Sequence, residues 1–141
     1  MTNIGSYIET EEKVNTLSYL RERTQKILDR KSEYIKTAIS TILPVEDCNN
    51  PFKVSVAYRE VVEQNNKLMD LLRDTKDEML FLNIAKEKID FSTQLGQQQL
   101  KQVEGLIKIL TTISKVLEIE QAKMDRFVRF YEKTFNYYNT F

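Results

Sequence analysis

The chain has 141 residues, 41% of them apolar and 30% charged, a composition that suits one globular domain and excludes a disordered chain. Three glycines and two prolines are too few for the tight turns of sheets and barrels, so an all-α fold is expected. Formal charge is zero, from 21 basic and 21 acidic residues, without the cation excess by which duplex nucleic-acid binders grip phosphate.

The single cysteine, Cys48, has no internal disulfide partner and points to a reducing compartment. Met1 to Ser6 lacks the basic segment and apolar core of a signal peptide. No apolar run reaches the roughly 20 residues of a membrane span. The expected location is intracellular, in cytoplasm or nucleus.

A first helix is expected over about 6–42. Ser6 with Glu9 forms a capping-box pattern, in which each side chain satisfies an orphan backbone N–H. Val14, Leu17, Leu20, Ile27, Leu28, Ile35, Ala38, Ile39 and Ile42 then recur at three-and-four spacing. Pro44 cannot continue the ladder. Residues 44–50 form the one clear loop, ending on Asn50 as helix cap and Pro51 in the first helical position.

The second helix, over about 51–91, carries Val54, Tyr58, Val61, Leu68, Leu72, Met79, Leu82 and Ile89 on one seam. Val62, Met69, Leu71, Leu80 and Ile84 flank that seam. Asn65, Thr75 and Lys86 fall on it, where polar residues specify register at some cost in stability.

Residues 91–97 allow two readings. The apolar phase passes from Ile89 to Leu100 and Val103 without a slip, as it would in one continuous helix from Pro51 to about Tyr138. Against that, Ser92, Thr93 and Gly96 cluster there, and glycine costs about 1 kcal/mol inside a helix. A break is favoured, because three helices folding back bury their stripes within one elongated domain, 1–141. The third helix, over about 97–139, then bears Val103, Leu106, Leu110, Ile113, Leu117, Met124, Phe127 and Tyr131. Glu9–Lys13, Glu22–Lys26, Glu63–Lys67 and Glu104–Lys108 are spaced to pair along exposed faces.

Little in the chain suggests chemistry. With no histidine there is no Ser–His or Cys–His dyad, and the Glu-x-x-His pairs of di-iron bundles are absent. Gly5, Gly96 and Gly105 form no phosphate loop. Glu11-Glu12 and Asp77-Glu78 diverge by about 100° on a helix, so neither pair converges on one substrate atom. No catalytic residue, metal site, cofactor or small-molecule substrate is expected.

The prominent feature is the aromatic end. Phe127, Phe130, Tyr131, Phe135, Tyr137, Tyr138 and Phe141 fall within an arc of about 160° that continues the apolar stripe. Asp125, Arg126, Arg129, Glu132 and Lys133 are read onto the opposite side. Such an arc is either core, packed on the first helix, or a protein-binding face, since Tyr and Phe dominate binding hot spots. Single-strand nucleic-acid binding needs rings and cations in one groove, and their opposition argues against it. The mixed polar face argues against a membrane-surface helix.

The stretch Arg126-Phe127-x-Arg129-Phe130-x-Glu132 resembles the small helical subunits of type III CRISPR effector complexes, without their basic character. The Gln- and Glu-rich second half resembles coiled-coil subunits of ciliary, kinetochore and vesicle-tethering assemblies. Neither likeness carries a residue's role across. The expectation is a non-enzymatic adaptor or structural subunit of a multi-protein assembly, binding other helical proteins or further copies of itself. The alternatives are a stand-alone helical binding module, chaperone or inhibitor, and a small subunit of a ribonucleoprotein.

Overall fold

A computed structural model describes residues 2–40 and 42–140, with side chains described for 17–37 and 42–140. Three α-helices follow in order: α1 (Thr2–Ser40), α2 (Pro51–Glu87) and α3 (Gln94–Thr140). One 3-10 turn, Val45–Asp47, lies between α1 and α2, and there is no strand among the described residues.

Cross-helix pairs fix the topology. Arg23 meets Glu78 and Arg30 meets Asp74, so α1 and α2 are antiparallel. Lys86 meets Glu104, Lys76 meets Glu118 and Tyr58 meets Phe135, so α2 and α3 are antiparallel too. The result is an up-down-up three-helix bundle in which α1 and α3 run parallel.

The helix ends show which local signals matter. Asn50 caps α2 as expected, its side chain accepting from the Phe52 and Lys53 N–H groups at 3.0 and 3.2 Å, with Pro51 at the start. α1 begins at Thr2, ahead of the expected cap at Ser6. The side chains of the Ser6–Glu9 capping box and of Glu9–Lys13, Glu11, Glu12, Val14, Ala38 and Ile39 lie outside the described residues.

The chain does break between α2 and α3, a few residues before the expected place, and the continuous rod is excluded. Asp90 starts the turn, its side chain accepting from the Ser92 N–H at 2.9 Å. Thr93 then caps α3, its hydroxyl accepting from the Gly96 N–H at 2.9 Å. Gly96 is therefore no breaker. It sits in the first turn of α3, where a Cβ would fall 1.7 Å from the Asp90 carbonyl oxygen.

The core is continuous along the bundle. Leu20, Ile27 and Tyr34 of α1 meet Val61, Leu68 and Leu82 of α2 and Val103, Leu110, Leu117 and Tyr131 of α3. Each fully buried aliphatic chain contributes about 1.5–3 kcal/mol. The buried face of α2 is rotated from the expected seam: Ala57, Gln64 and Leu71 turn inward, while Met69, Leu80 and Ile84 are exposed. The reason is that α2 touches two neighbours, so its buried arc widens toward α1 and away from Leu80.

Two buried threonine hydroxyls are satisfied inside their own helices. Thr24 donates to the Leu20 carbonyl at 2.9 Å and Thr75 to that of Leu71 at 2.7 Å. Of the expected surface pairs whose side chains are described, Glu63–Lys67 forms at 3.4 Å, Glu22–Lys26 does not, and Glu104 turns instead to Lys86.

Candidate functional site

The aromatic end of α3 is divided by the fold. Its inner half faces the chain itself. Tyr131 is buried, and its hydroxyl accepts the Leu43 N–H at 2.8 Å. One heptad on, the Tyr138 hydroxyl donates to the Cys48 carbonyl at 3.2 Å. Phe135 packs edge-on against Tyr58 of α2 with centroids 5.3 Å apart, and Phe127 packs against the core. These rings hold the α1–α2 connection against the end of α3. Burial pushes the Tyr131 phenol above its ordinary pKa, and the Leu43 N–H opposes that rise.

The outer half faces water. Phe130 is 50% exposed and Tyr137 61% exposed, while Phe141 lies outside the described residues. The structure thus gathers Phe127, Tyr131, Phe135 and Tyr138 on one side and leaves Phe130 and Tyr137 on another. Stepping about 100° per residue, Arg126 and Lys133 lie within about 60° of Phe130. The expected opposition of rings and cations therefore fails for the outer rings: both belong to one exposed flank.

That flank continues a row the stronger inner periodicity concealed. Val103, Leu110, Leu117, Met124 and Tyr131 recur every seven residues and form the core. One position earlier, Ile109, Val116, Lys123, Phe130 and Tyr137 recur with the same period. Ile109 is 42% exposed, and Ile119, beside this row, is 59% exposed. The outer row was readable as a heptad spacing, one residue out of step with the core.

Other features do not assemble into a centre. Glu78 pairs with Arg23 while Asp77 is exposed, so those two carboxylates diverge. The Cys48 thiol donates to the Pro44 carbonyl at 3.6 Å. A shallow groove between α2 and α3, rimmed by Arg73, Lys76, Asp77 and Gln121, mixes charges of both signs. Among the described residues, no group of three His, Cys, Asp or Glu side chains could hold a metal ion, and no helix is long and apolar enough to cross a membrane.

No protein-family model matches the chain, and no curated protein or solved structure is detectably similar to it.

Proposed function

We propose that this chain is a non-enzymatic adaptor or structural subunit of a multi-protein assembly, docking other helices on the outer flank of α3. One observation carries the reading. The bundle already has a complete core, in which Leu68, Leu110 and Leu117 are fully buried. Ile109, Ile119, Phe130 and Tyr137 nevertheless remain exposed along one side of a single helix. Scattered apolar side chains on a surface need no explanation, but four large ones on one side of α3, two of them aromatic and interspersed with Lys123 and Arg126, match the composition of binding hot spots.

The test is co-purification from cells expressing the tagged full chain or its Phe130→Gln/Tyr137→Gln variant. Both changes lie on the exposed side; they remove edge-on ring contacts to Tyr131 and Tyr138 but keep the residues that bond Leu43 and Cys48. The variant should keep its helicity and lose the partners of the unmodified chain. Retention of every partner would overturn the proposal. The self-contained core also favours a second reading, a stand-alone binding module that is monomeric when free. Sedimentation at micromolar concentration separates the two: a compact monomer supports the module, and an obligate oligomer supports the subunit.

A further inference from the structure

Going beyond the adaptor reading and independent of it, we propose that the outward line of α3 from Lys101 to Arg126 binds an anionic phospholipid surface, on which the bundle lies with α3 lengthwise.

The core sets where this line points. Lys101, Lys108 and Lys115 each stand two residues before a buried residue, Val103, Leu110 and Leu117, and Arg126 stands two after Met124. Two residues are about 160° apart around a helix, so these four cations point away from the core and from both neighbouring helices. All four are exposed. Gly105 and Thr112 lie between the lysines and are exposed too, and among the described residues nothing lies within 4 Å of where a Cβ would stand at Gly105. Ile119, 59% exposed, follows Lys115 on the same line. The line runs roughly 38 Å by the helical rise.

The line is of one sign. Glu104 and Glu118 reach Lys86 and Lys76 of α2, Asp125 meets Arg129, and Glu120 meets Lys123 and faces Tyr34 of α1. Lys101, Lys108, Lys115 and Arg126 make no ion pair among the described residues. The polar face that looks mixed in the sequence is thus sorted by the fold, cations outward and most carboxylates toward the neighbouring helices.

Shape and charge together select the occupant. A bilayer is flat, and a plane touches the convex outer side of a helix along its length. Each lysine can keep its ammonium among the headgroups with its stem along the interface, while Ile119 enters between them. With Lys123, the line holds as many cations as helices that bind anionic lipid carry. A partner helix needs apolar cover, and between Lys101 and Lys115 the line offers only Gly105 and Thr112 beside Lys108. Single-stranded nucleic acid needs rings on which to stack its bases, and no aromatic residue lies between Lys101 and Arg126. A second copy would set cation against cation.

The test is co-sedimentation of the full chain with phosphatidylcholine vesicles holding about 30% phosphatidylserine, against vesicles of phosphatidylcholine alone. The anionic vesicles should bind at least about ten-fold more tightly. That difference should vanish at about 1 M salt, where charges are screened within about 3 Å. Each lysine near an anionic surface strengthens binding roughly five-fold, so Lys101→Gln/Lys108→Gln/Lys115→Gln should lose about 100-fold. The three sites are exposed, and circular dichroism should show unchanged helicity. Equal binding to the two vesicles, binding to neither, a difference that survives salt, or a folded lysine variant that binds as before overturns the inference. So does tighter binding of an oligonucleotide, single- or double-stranded, or of an acidic helical peptide in the same buffer, which would identify another occupant. Were the variant to unfold, the lipid and salt comparisons on the unmodified chain still decide. The adaptor reading stands or falls separately, on the partners lost with Phe130 and Tyr137.

Discussion

The Tyr131 hydroxyl accepts the Leu43 backbone N–H at 2.8 Å, joining the end of α3 to the chain just after α1 across 88 residues of sequence. Leu43 stands next to Pro44, beyond the last turn of α1, where its N–H has left the helical ladder. A single buried phenol thus replaces the hydrogen bond the helix no longer supplies. Removing that oxygen in Tyr131→Phe keeps the ring and orphans the N–H. The expected cost is about 1–2 kcal/mol, read as a lower urea midpoint at unchanged slope. An unchanged midpoint would show that water replaces the phenol.

The same substitution at Tyr34 should have the opposite sign. Tyr34 is 6% exposed and its hydroxyl has no hydrogen-bond partner among the described residues. Tyr34→Phe removes a desolvated oxygen from the core and should be neutral or stabilising by up to about 1 kcal/mol. Burial, assisted by nearby Glu120, pushes the Tyr34 pKa up to about 12 from 10.0. The neutral phenol is thus favoured in the fold. Its contribution is fully present below pH 10 and is lost as pH rises toward 12. The variant should lose stability less steeply over that window, in urea melts taken at successive pH values. Tyr131, raised in the same direction, keeps some of the slope.

Two glycines of α3 should respond oppositely to alanine. At Gly96 a Cβ would lie 1.7 Å from the Asp90 carbonyl oxygen and 2.8 Å from the Thr93 hydroxyl. The backbone carbonyl cannot step aside without opening the turn, so Gly96→Ala should cost several kcal/mol and loosen the α2–α3 connection. At Gly105 nothing lies within 4 Å of the added carbon. Gly105→Ala should stabilise the chain by about 0.5–1 kcal/mol through helix propensity. Thermal melts of the two variants on either side of the unmodified protein would bear this out; a stabilised Gly96→Ala would refute it.

These sites mark how far the sequence can be read. The inner face of α3 was legible because Val103, Leu110, Leu117, Met124 and Tyr131 repeat every seven residues with bulky apolar side chains. Asn50 and Pro51 were legible because capping is local chemistry. The aromatic arc was visible as a whole, but its division was not. Whether Phe130 or Phe135 turns inward depends on where Tyr58 arrives from α2, which no local pattern records. The rotated face of α2 is hidden for the same reason, since Leu71 and Leu80 look alike until α1 has docked beside one of them. Gly96 looks like a helix breaker in the sequence alone, whereas it is a close approach by the Asp90 carbonyl that requires it.

Arg23 joins α1 to α2 in a way lysine cannot imitate. Its Nε lies 2.9 Å from both Glu78 carboxylate oxygens, a second nitrogen also meets Glu78, and Nη1 donates to the Tyr19 hydroxyl at 2.8 Å. The guanidinium also lies over the Phe81 ring, 4.4 Å from its centroid. Bidentate pairing and stacking together need a planar fork. The Glu78 side chain is only 14% exposed, so a weaker partner leaves a carboxylate poorly hydrated. Arg23→Lys should therefore cost about 1 kcal/mol or more despite conserving charge. Arg30 provides the control, because its pair with Asp74 is more open, with side chains 45% and 38% exposed. Arg30→Lys should stay within about 0.5 kcal/mol of the unmodified chain. Equal effects at the two positions, in parallel urea titrations, would mean that the half-buried fork adds nothing to the α1–α2 contact.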